Sequence, residues 1–439
     1  MDSTLNKVGT FIEQERLMQP DGRYLVALSG GADSVCLLLI LRKLGYQTEA
    51  VHCNFHLRGE ESNHDEDFVK KLCYDNGIVL HLIHFDTEAY AKLHHVSIEM
   101  AARTLRYQYF EQLRTDIGAT AVCVAHHRDD SVETVLMNLM RGTGIRGLCG
   151  IQPLHDHIVR PLLCLTRNNI EAWLREQGQS YVTDSTNLQP DVVRNHIRLQ
   201  LLPLMRQRFP AVDDNIQRTA SHLCEVTRVY KQAISVAMKR LITGNSLDVS
   251  MLLQEPSAEA ILFEWLTPYG FVPDVVEQIA NRLPDIESGR SWQSATHELT
   301  IHDSHLILQP IETERPTVYI PEPGTYVYTD SERFRIKKEE GAQLIRSSET
   351  CSLDAKDITF PLTIRPVTTG DRFRPLGMKG SRLVSDMLCD KKMNIFERRR
   401  QLVVTDAKGN ILWLVGIRPS EDHRINTETK QTLIIEYAR

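Results

Sequence analysis

This 439-residue chain has no long apolar run. The longest unbroken one, residues 35–41, falls far short of the ~20 residues that a membrane-spanning helix needs. Its nine cysteines never occur as CxxC, which argues against a zinc ribbon, and an odd number cannot all pair. A reduced, cytosolic protein is the economical reading. Charge of one sign is also missing: 51 Lys+Arg against 57 Asp+Glu leaves −6, no whole-chain footprint of a nucleic-acid binder. There is no internal repeat. The residues near the start include Asp2, Glu13 and Glu15 without an apolar stretch, unlike a secretory signal. What is present, 42% hydrophobic and 25% charged residues, is the composition of a folded soluble protein. At this length one core does not suffice, so two or three domains are expected.

Over the first ~180 residues, short apolar runs at 24–29, 48–53, 79–85 and 120–125 alternate with helical patterns at 34–44, 63–75, 98–117 and 130–141. A further strand–helix pair follows at 158–163 and 166–177. That alternation predicts a doubly wound α/β domain, a parallel sheet covered on both faces that binds ligands at the carboxyl ends of its strands. Residues 179–190 are polar and turn-rich. Helical patterns at 192–202, 212–241, 258–266 and 274–281 predict a small, mostly helical domain, and short strands such as 299–301 and 305–308 begin near Trp292. Residues 331–361, charged and poor in apolar runs, read as a linker. The remainder reads as a compact α+β module. The expected domains are 1–210, 211–325 and 326–439.

Charge is unevenly spread. Residues 365–400 hold ten basic residues against four acids, and 194–208 hold four arginines and no acid. Either tract could dock a phosphate backbone, or be a solvated basic face.

The sharpest motif is Ser29-Gly30-Gly31-Ala32-Asp33-Ser34, between the first strand and its helix. Two glycines allow close approach of the backbone, the helix start offers unpaired N–H groups, and the serines add hydroxyl donors, which together suit a phosphate. It is not a Walker A loop, because GxxxxGK[ST] is absent. Asp33 beside phosphates calls for a bridging cation, ordinarily Mg²⁺. The plainer alternative is an N-cap and a turn. The second cluster runs from Ala125 through His126, His127, Asp130 and Glu133. Val132, Val135, Leu136, Leu139 and Met140 make that helix's buried stripe, and Asp130 and Glu133 fall off it. Those acids could be caps favoured by the helix dipole. Paired with Asp33, however, Asp130 would complete a two-carboxylate site for one Mg²⁺. His126 and His127 are neighbours whose side chains diverge; either could contact a phosphate, and the sequence does not rank them. Glu99, Arg103 and Arg106 share one helical face, as an ion-pair stripe or as arginines offered to a polyphosphate. Residues 142–147 match GxGxxG but follow a helix, so the dinucleotide reading fails.

With these motifs in place, the chain resembles the tRNA(Ile)-lysidine synthetases of the PP-loop (N-type ATP pyrophosphatase) superfamily. The resemblance rests on SGGADS, His56-Leu57-Arg58 with Glu61-Ser62, AARTLRYQYF from Ala101 and AHHRDDSVETVLMNLMRGTGIRGL from Ala125. It continues through Arg160-Pro161-Leu162, Asp184-Ser185-Thr186-Asn187, Arg194-Asn195 with Ile197-Arg198, and GDRFRPLGMKG from Gly370. It is near continuous over 1–208, renewed over 365–400, and positional between them. It implies ligation of free L-lysine to the wobble cytidine of the isoleucine tRNA with a CAU anticodon, through an adenylated cytidine, with ATP consumed to AMP and pyrophosphate. It further implies that Ser29, Gly30, Gly31, Ala32, Asp33 and Ser34 hold ATP, that Asp33 and Asp130 hold Mg²⁺, and that Arg103, Arg106 and His126 assist. Glu133 would bind the lysine ammonium or take its proton, a task water could do instead. Arg194, Arg198, Arg206, Arg372, Arg374, Lys379, Lys391 and Lys392 would hold tRNA phosphates. No membrane partner is expected, and a homodimer is left open. The competing readings are a PP-loop tRNA thiolase, which would need reactive cysteines, and a nucleotide or RNA binder without turnover.

Overall fold

A computed structural model of the chain describes residues 2–183, 193–283 and 289–438. It divides into two units, Met1–Lys231 and Gln232–Arg439. Among the described residues no helix is long and apolar enough to cross a membrane.

In the first unit, β1 (Arg23–Ala27), β2 (Gln47–Asn54), β3 (Leu80–His84), β4 (Ala121–Cys123), β5 (Leu154–His155) and β6 (Ile158–Val159) form one sheet in the order β3-β2-β1-β4-β6-β5. All neighbours are parallel except β5 and β6. The chain winds outward from β1 to β3, then returns to the other side of β1 as β4. The gap between β1 and β4 is thus the switch point where such sheets bind ligands. Successive β1 residues face opposite ways. Tyr24 and Val26 pack with α2 (Ala32–Lys43) and α7 (Arg167–Glu176), whereas Leu25 packs with Phe110 and Leu113 of α5 (Ile98–Asp116). The seven-residue apolar run lies in α2, where Val35, Cys36, Leu37, Leu38, Ile40 and Leu41 are wholly buried. A helix apolar all round is a core helix. On α7, Trp173 is 1% exposed and its Nε1–H donates to the Asp2 carboxylate at 2.6 Å.

The expected strand at 158–163 stops at Val159. Pro161 has no N–H for a ladder, and Pro161–Cys164 forms a 3₁₀ turn instead. Around α6 (Arg128–Met140), the buried Val132 and Leu136 pack on Ile197 and Leu202. Those two come from a stretch made of α8 (Val193–His196), a π-helical segment (Ile197–Leu201) and α9 (Leu202–Arg208). The motif residues 184–187 lie outside the described residues.

The second unit begins inside the long α10 (Val212–Leu241). Its first part packs the helices Ala258–Leu266 and Pro273–Arg282 against a five-stranded sheet that includes His297–His302 and His305–Pro310. Two further sheets, of five and four strands, share one core that brings Ile364, Val404 and Leu412 together with Phe334, Leu353 and Ile435. Residues 331–361 are no linker. They form the strands Glu332–Glu340 and Thr350–Asp354, because in ERFRIKKEE the residues Glu332, Phe334 and Ile336 face inward and the charges alternate outward. Strict alternation marks a half-buried strand even where no apolar run exists. The expected boundary at 325/326 falls within the strand Gly324–Thr329.

Candidate active site

At the end of β1 the chain must turn sharply into α2. Gly30 makes the turn with φ +91°, and a Cβ there would meet Val69 and Phe68 at 3.4 and 3.5 Å. Its carbonyl accepts a hydrogen bond from the Val182 amide at 2.9 Å. Gly31 then takes the N-cap position of α2 with no side chain to cap the helix, so the amides of the first turn are left for an anion. The serines behave differently from expectation. Ser34 Oγ accepts from the Ser29 amide at 3.1 Å and donates to the Gly31 carbonyl at 3.0 Å, and the two hydroxyls lie 3.1 Å apart. Both hydroxyls staple the turn, with Ser34 buried and Ser29 still exposed.

Asp33 sits in that first helical turn. Its Oδ1 is buried and has no hydrogen-bond partner among the described residues. Burial raises its pKa, and His127, Arg167 and Arg198 offset this only in part. His127 follows β4 and is 1% exposed. Its Nε2 lies 3.8 Å from Asp33 and 3.6 Å from Asp130, and its Nδ1 3.4 Å from Asp129. Burial opposes a charge on this ring, but the three carboxylates outweigh it and raise the pKa. Asp129 is correspondingly low, at about 2, because burial is overcome by His127 and by the Arg167 amide, which donates at 2.9 Å.

Asp33 and Asp130 therefore converge from the ends of adjacent strands on one nitrogen. Among the described residues no three His, Cys, Asp or Glu side chains could hold an ion unaided. Mg²⁺ in phosphate sites needs only one or two carboxylates, with phosphate and water supplying the rest. The orphaned Asp33 oxygen beside Asp130 fits that donor set.

Glu133, expected to meet the lysine ammonium or take its proton, already has partners. It is 1% exposed, and both its oxygens are taken: Arg194 Nε donates to Oε2 at 2.8 Å, and Arg198 donates through Nε to Oε1 at 2.6 Å and through Nη2 to Oε2 at 2.9 Å. Arg194 and Arg198 also reach Asp130 Oδ1, at 3.5 and 3.3 Å. Arg206 forms two bonds to Asp213, at 2.7 and 3.0 Å, and approaches Asp129 at 3.8 Å. Three of the four arginines of the acid-free tract are thus turned inward onto acids, not outward. The i, i+4 spacing of 194 and 198 was the signal, since it sets both on one helical face opposite α6. Sequence reasoning assigned no role to Asp129, which lies in the quoted motif, or to Arg160, whose Nε donates to His126 Nδ1 at 3.2 Å. A cavity of about 410 Å³ adjoins the cluster, lined by Asp129, Glu133, Arg167, Arg198, Arg206 and Asp213 among others.

Arg103 and Arg106 each lie 5.0 Å from an aromatic ring centre, over Tyr107 and Phe55 respectively. Neither has a carboxylate within 4 Å among the described residues, so both cations are held in place without being neutralised.

In the second unit the 365–400 tract divides. Arg365 pairs with Asp371, Arg374 with Asp422, Arg382 with Asp390, Arg399 with Glu298 and Arg400 with Glu312. Arg372, Lys379, Lys391 and Lys392 are exposed and have no such partner among the described residues. Arg374, expected to face phosphate, is spent on Asp422.

Comparison with known proteins agrees in all three parts. The PP-loop domain family matches residues 2–205, the TilS substrate binding domain 243–311 and the TilS substrate C-terminal domain 362–435. The chain is 45% identical to the tRNA(Ile)-lysidine synthase of Bacteroides thetaiotaomicron over 98% of each protein. It is 40% identical to that of Parabacteroides distasonis over 99% of each. It is 30% identical to that of Bacillus subtilis over 99% of this chain and 98% of the other.

Proposed function

The chain belongs to the tRNA(Ile)-lysidine synthase family, and from that premise we propose how its residues divide the reaction. It is an ATP-using ligase that forms lysidine on an isoleucine tRNA. The tRNA is the one with a CAU anticodon, the added group is free L-lysine, and the reaction runs in the cytoplasm, to which the nine free cysteines are suited.

The first step joins the cytosine C2 oxygen to the α-phosphorus of ATP and expels pyrophosphate. The uncapped amides after Gly31 receive the charge that develops on the leaving group, and preorganised donors of this kind are worth about 10²–10³-fold each. Asp33 and Asp130 would hold Mg²⁺, which when bound neutralises phosphate charge. Arg103 and Arg106, unpaired with carboxylates, meet the phosphate oxygens. In the second step the lysine ε-amine attacks C2, AMP leaves, and the amine proton passes to solvent. Glu133 is reserved for Arg194 and Arg198, and the three together fix Asp130. The 410 Å³ cavity, with acids and guanidinia on its wall, suits a zwitterionic amino acid. The exposed Arg372, Lys379, Lys391 and Lys392 dock tRNA phosphates.

The observation that carries this reading is the convergence of Asp33 and Asp130 within 4 Å of one His127 nitrogen, beside an uncapped glycine turn. Incubation with ATP, labelled lysine and total tRNA tests it: label enters the tRNA, and pyrophosphate is released when tRNA and ATP are present without lysine. Pyrophosphate release that ignores tRNA would refute it. A thiolase is disfavoured on physical grounds, since burial raises the pKa of Cys36, of Cys53 to about 12, and of Cys123, which makes them core thiols.

A further inference from the structure

β4 and β6 run side by side, Val122 opposite Ile158 and Cys123 opposite Val159, so the segments after them leave the sheet at one edge. His126 leaves β4 there, and Arg160 leaves β6. The Arg160 guanidinium donates through Nε to His126 Nδ1 at 3.2 Å and through Nη1 to the Gln152 carbonyl at 2.7 Å. It is held at both ends, so its direction is fixed. A guanidinium offers five donors and no acceptor. His126 Nδ1 must therefore be the lone-pair nitrogen, and the imidazole proton must sit on Nε2. Among the described residues Nε2 has no protein partner, and it is not one of the fully buried polar atoms left without one, so it is not sealed off and its proton is free for a ligand.

Resting on the ligase reading above, we infer that Arg160 is a positioning residue that fixes His126 as a neutral Nε2–H donor for the phosphoryl oxygens that gather charge during adenylation. The two adjacent histidines then have opposite states for physical reasons. His127 is caged by three carboxylates. His126 is pushed down to about 4, first by burial and then by Arg160, Arg194 and Arg103, with only Asp130 pulling upward. A second proton on its ring would have to sit on Nδ1, directly against an arginine N–H. A neutral donor adds no charge to a site that already binds Mg²⁺ and ATP, and its strength does not change between pH 5 and 8.

Full-length protein labelled in histidine, with the His126 signal assigned from the His126→Gln spectrum, is titrated by NMR from pH 5 to 8. The wild-type ring is expected as the Nε2-protonated tautomer with no titration in that window. In Arg160→Met its titration should move upward from the wild-type position, and the Nδ1-protonated tautomer should become populated, because the guanidinium no longer faces Nδ1. A wild-type ring that is protonated on Nδ1, or that titrates in the window, overturns the inference, and this holds even if Arg160→Met does not fold. Single-turnover pyrophosphate release, with tRNA and ATP saturating, supplies the second readout. Arg160→Met should slow it by about 10²-fold, while Arg160→Lys recovers part of the rate. In a His126→Gln background, whose amide offers a donor in the same place with no tautomer to fix, Arg160→Met should cost less than about twofold. Equal losses in both backgrounds overturn the inference. Wild type with the stated tautomer but no tRNA-dependent pyrophosphate release would instead sink the ligase reading and leave the positioning intact.

Discussion

Two basic tracts of similar composition meet opposite fates in this molecule. In residues 194–208 the arginines turn inward: Arg194 and Arg198 enclose a buried Glu133, and Arg206 grips Asp213. In residues 365–400 half the cations are paired within their own unit, and the exposed Arg372, Lys379, Lys391 and Lys392 are left over. The lesson is that a basic tract is defined by the acids folded against it, which its own composition does not display. The first tract acts on stability and on the geometry of Asp130. The second, by the reading proposed above, is left to meet a polyanion.

That contrast can be broken by substitution. The largest effect is expected from Arg198→Met, which leaves the 1%-exposed Glu133 short of a partner; unmasking a buried charge costs about 3–5 kcal/mol, read as a lowered urea midpoint. A loss below about 1 kcal/mol would mean that the inner tract is as solvated as the outer. Next comes Lys391→Glu with Lys392→Glu. tRNA affinity should fall and its salt slope shrink by about one for each phosphate no longer neutralised, with ATP binding unchanged. An unchanged slope would remove these lysines from the tRNA surface.

A smaller effect concerns pH, measured without metal or nucleotide. The raised pKa of His127 contributes stability that is complete below its unfolded value of ~6.5 and lost as pH rises through the folded one, so unfolding free energy should decline on the alkaline side. His127→Asn should flatten that decline. Asp129, held to about 2, contributes stability above ~3.9 that disappears as pH falls toward 2. A wild-type curve flat from pH 6 to 9 would remove the charged ring from the carboxylate cage. The smallest expected change is that of Arg372→Ala, an exposed cation without an ion pair among the described residues, which should move stability by no more than ~0.5 kcal/mol.

Much of this was legible in the chain. The helices Val212–Leu241 and Ala258–Leu266 match their sequence-read bounds, because long apolar periodicity is a local signal. The glycine turn and Asp33 were legible because positive φ and helix-start chemistry are written in a few consecutive residues. Pairings were not. Glu133 and Arg198 are far apart in sequence, and nothing local says that one neutralises the other. Ser29 and Ser34 could as well have faced a ligand as each other. The strand Glu332–Glu340 was hidden by its charges, since only the alternation of inward Phe334 and Ile336 betrays it. His126 and His127 look interchangeable as letters, and differ only through Arg160 on one side and three carboxylates on the other.

The proposed adenylation stands on Asp33 and Asp130 acting together beside the glycine turn. Its most direct test is tRNA-dependent pyrophosphate release, without lysine, by Asp33→Asn and Asp130→Asn at saturating tRNA. Each should fall by at least about 10²–10³-fold while tRNA affinity stays near wild type and the variant remains cooperatively folded. Release at the wild-type rate by either variant would contradict it.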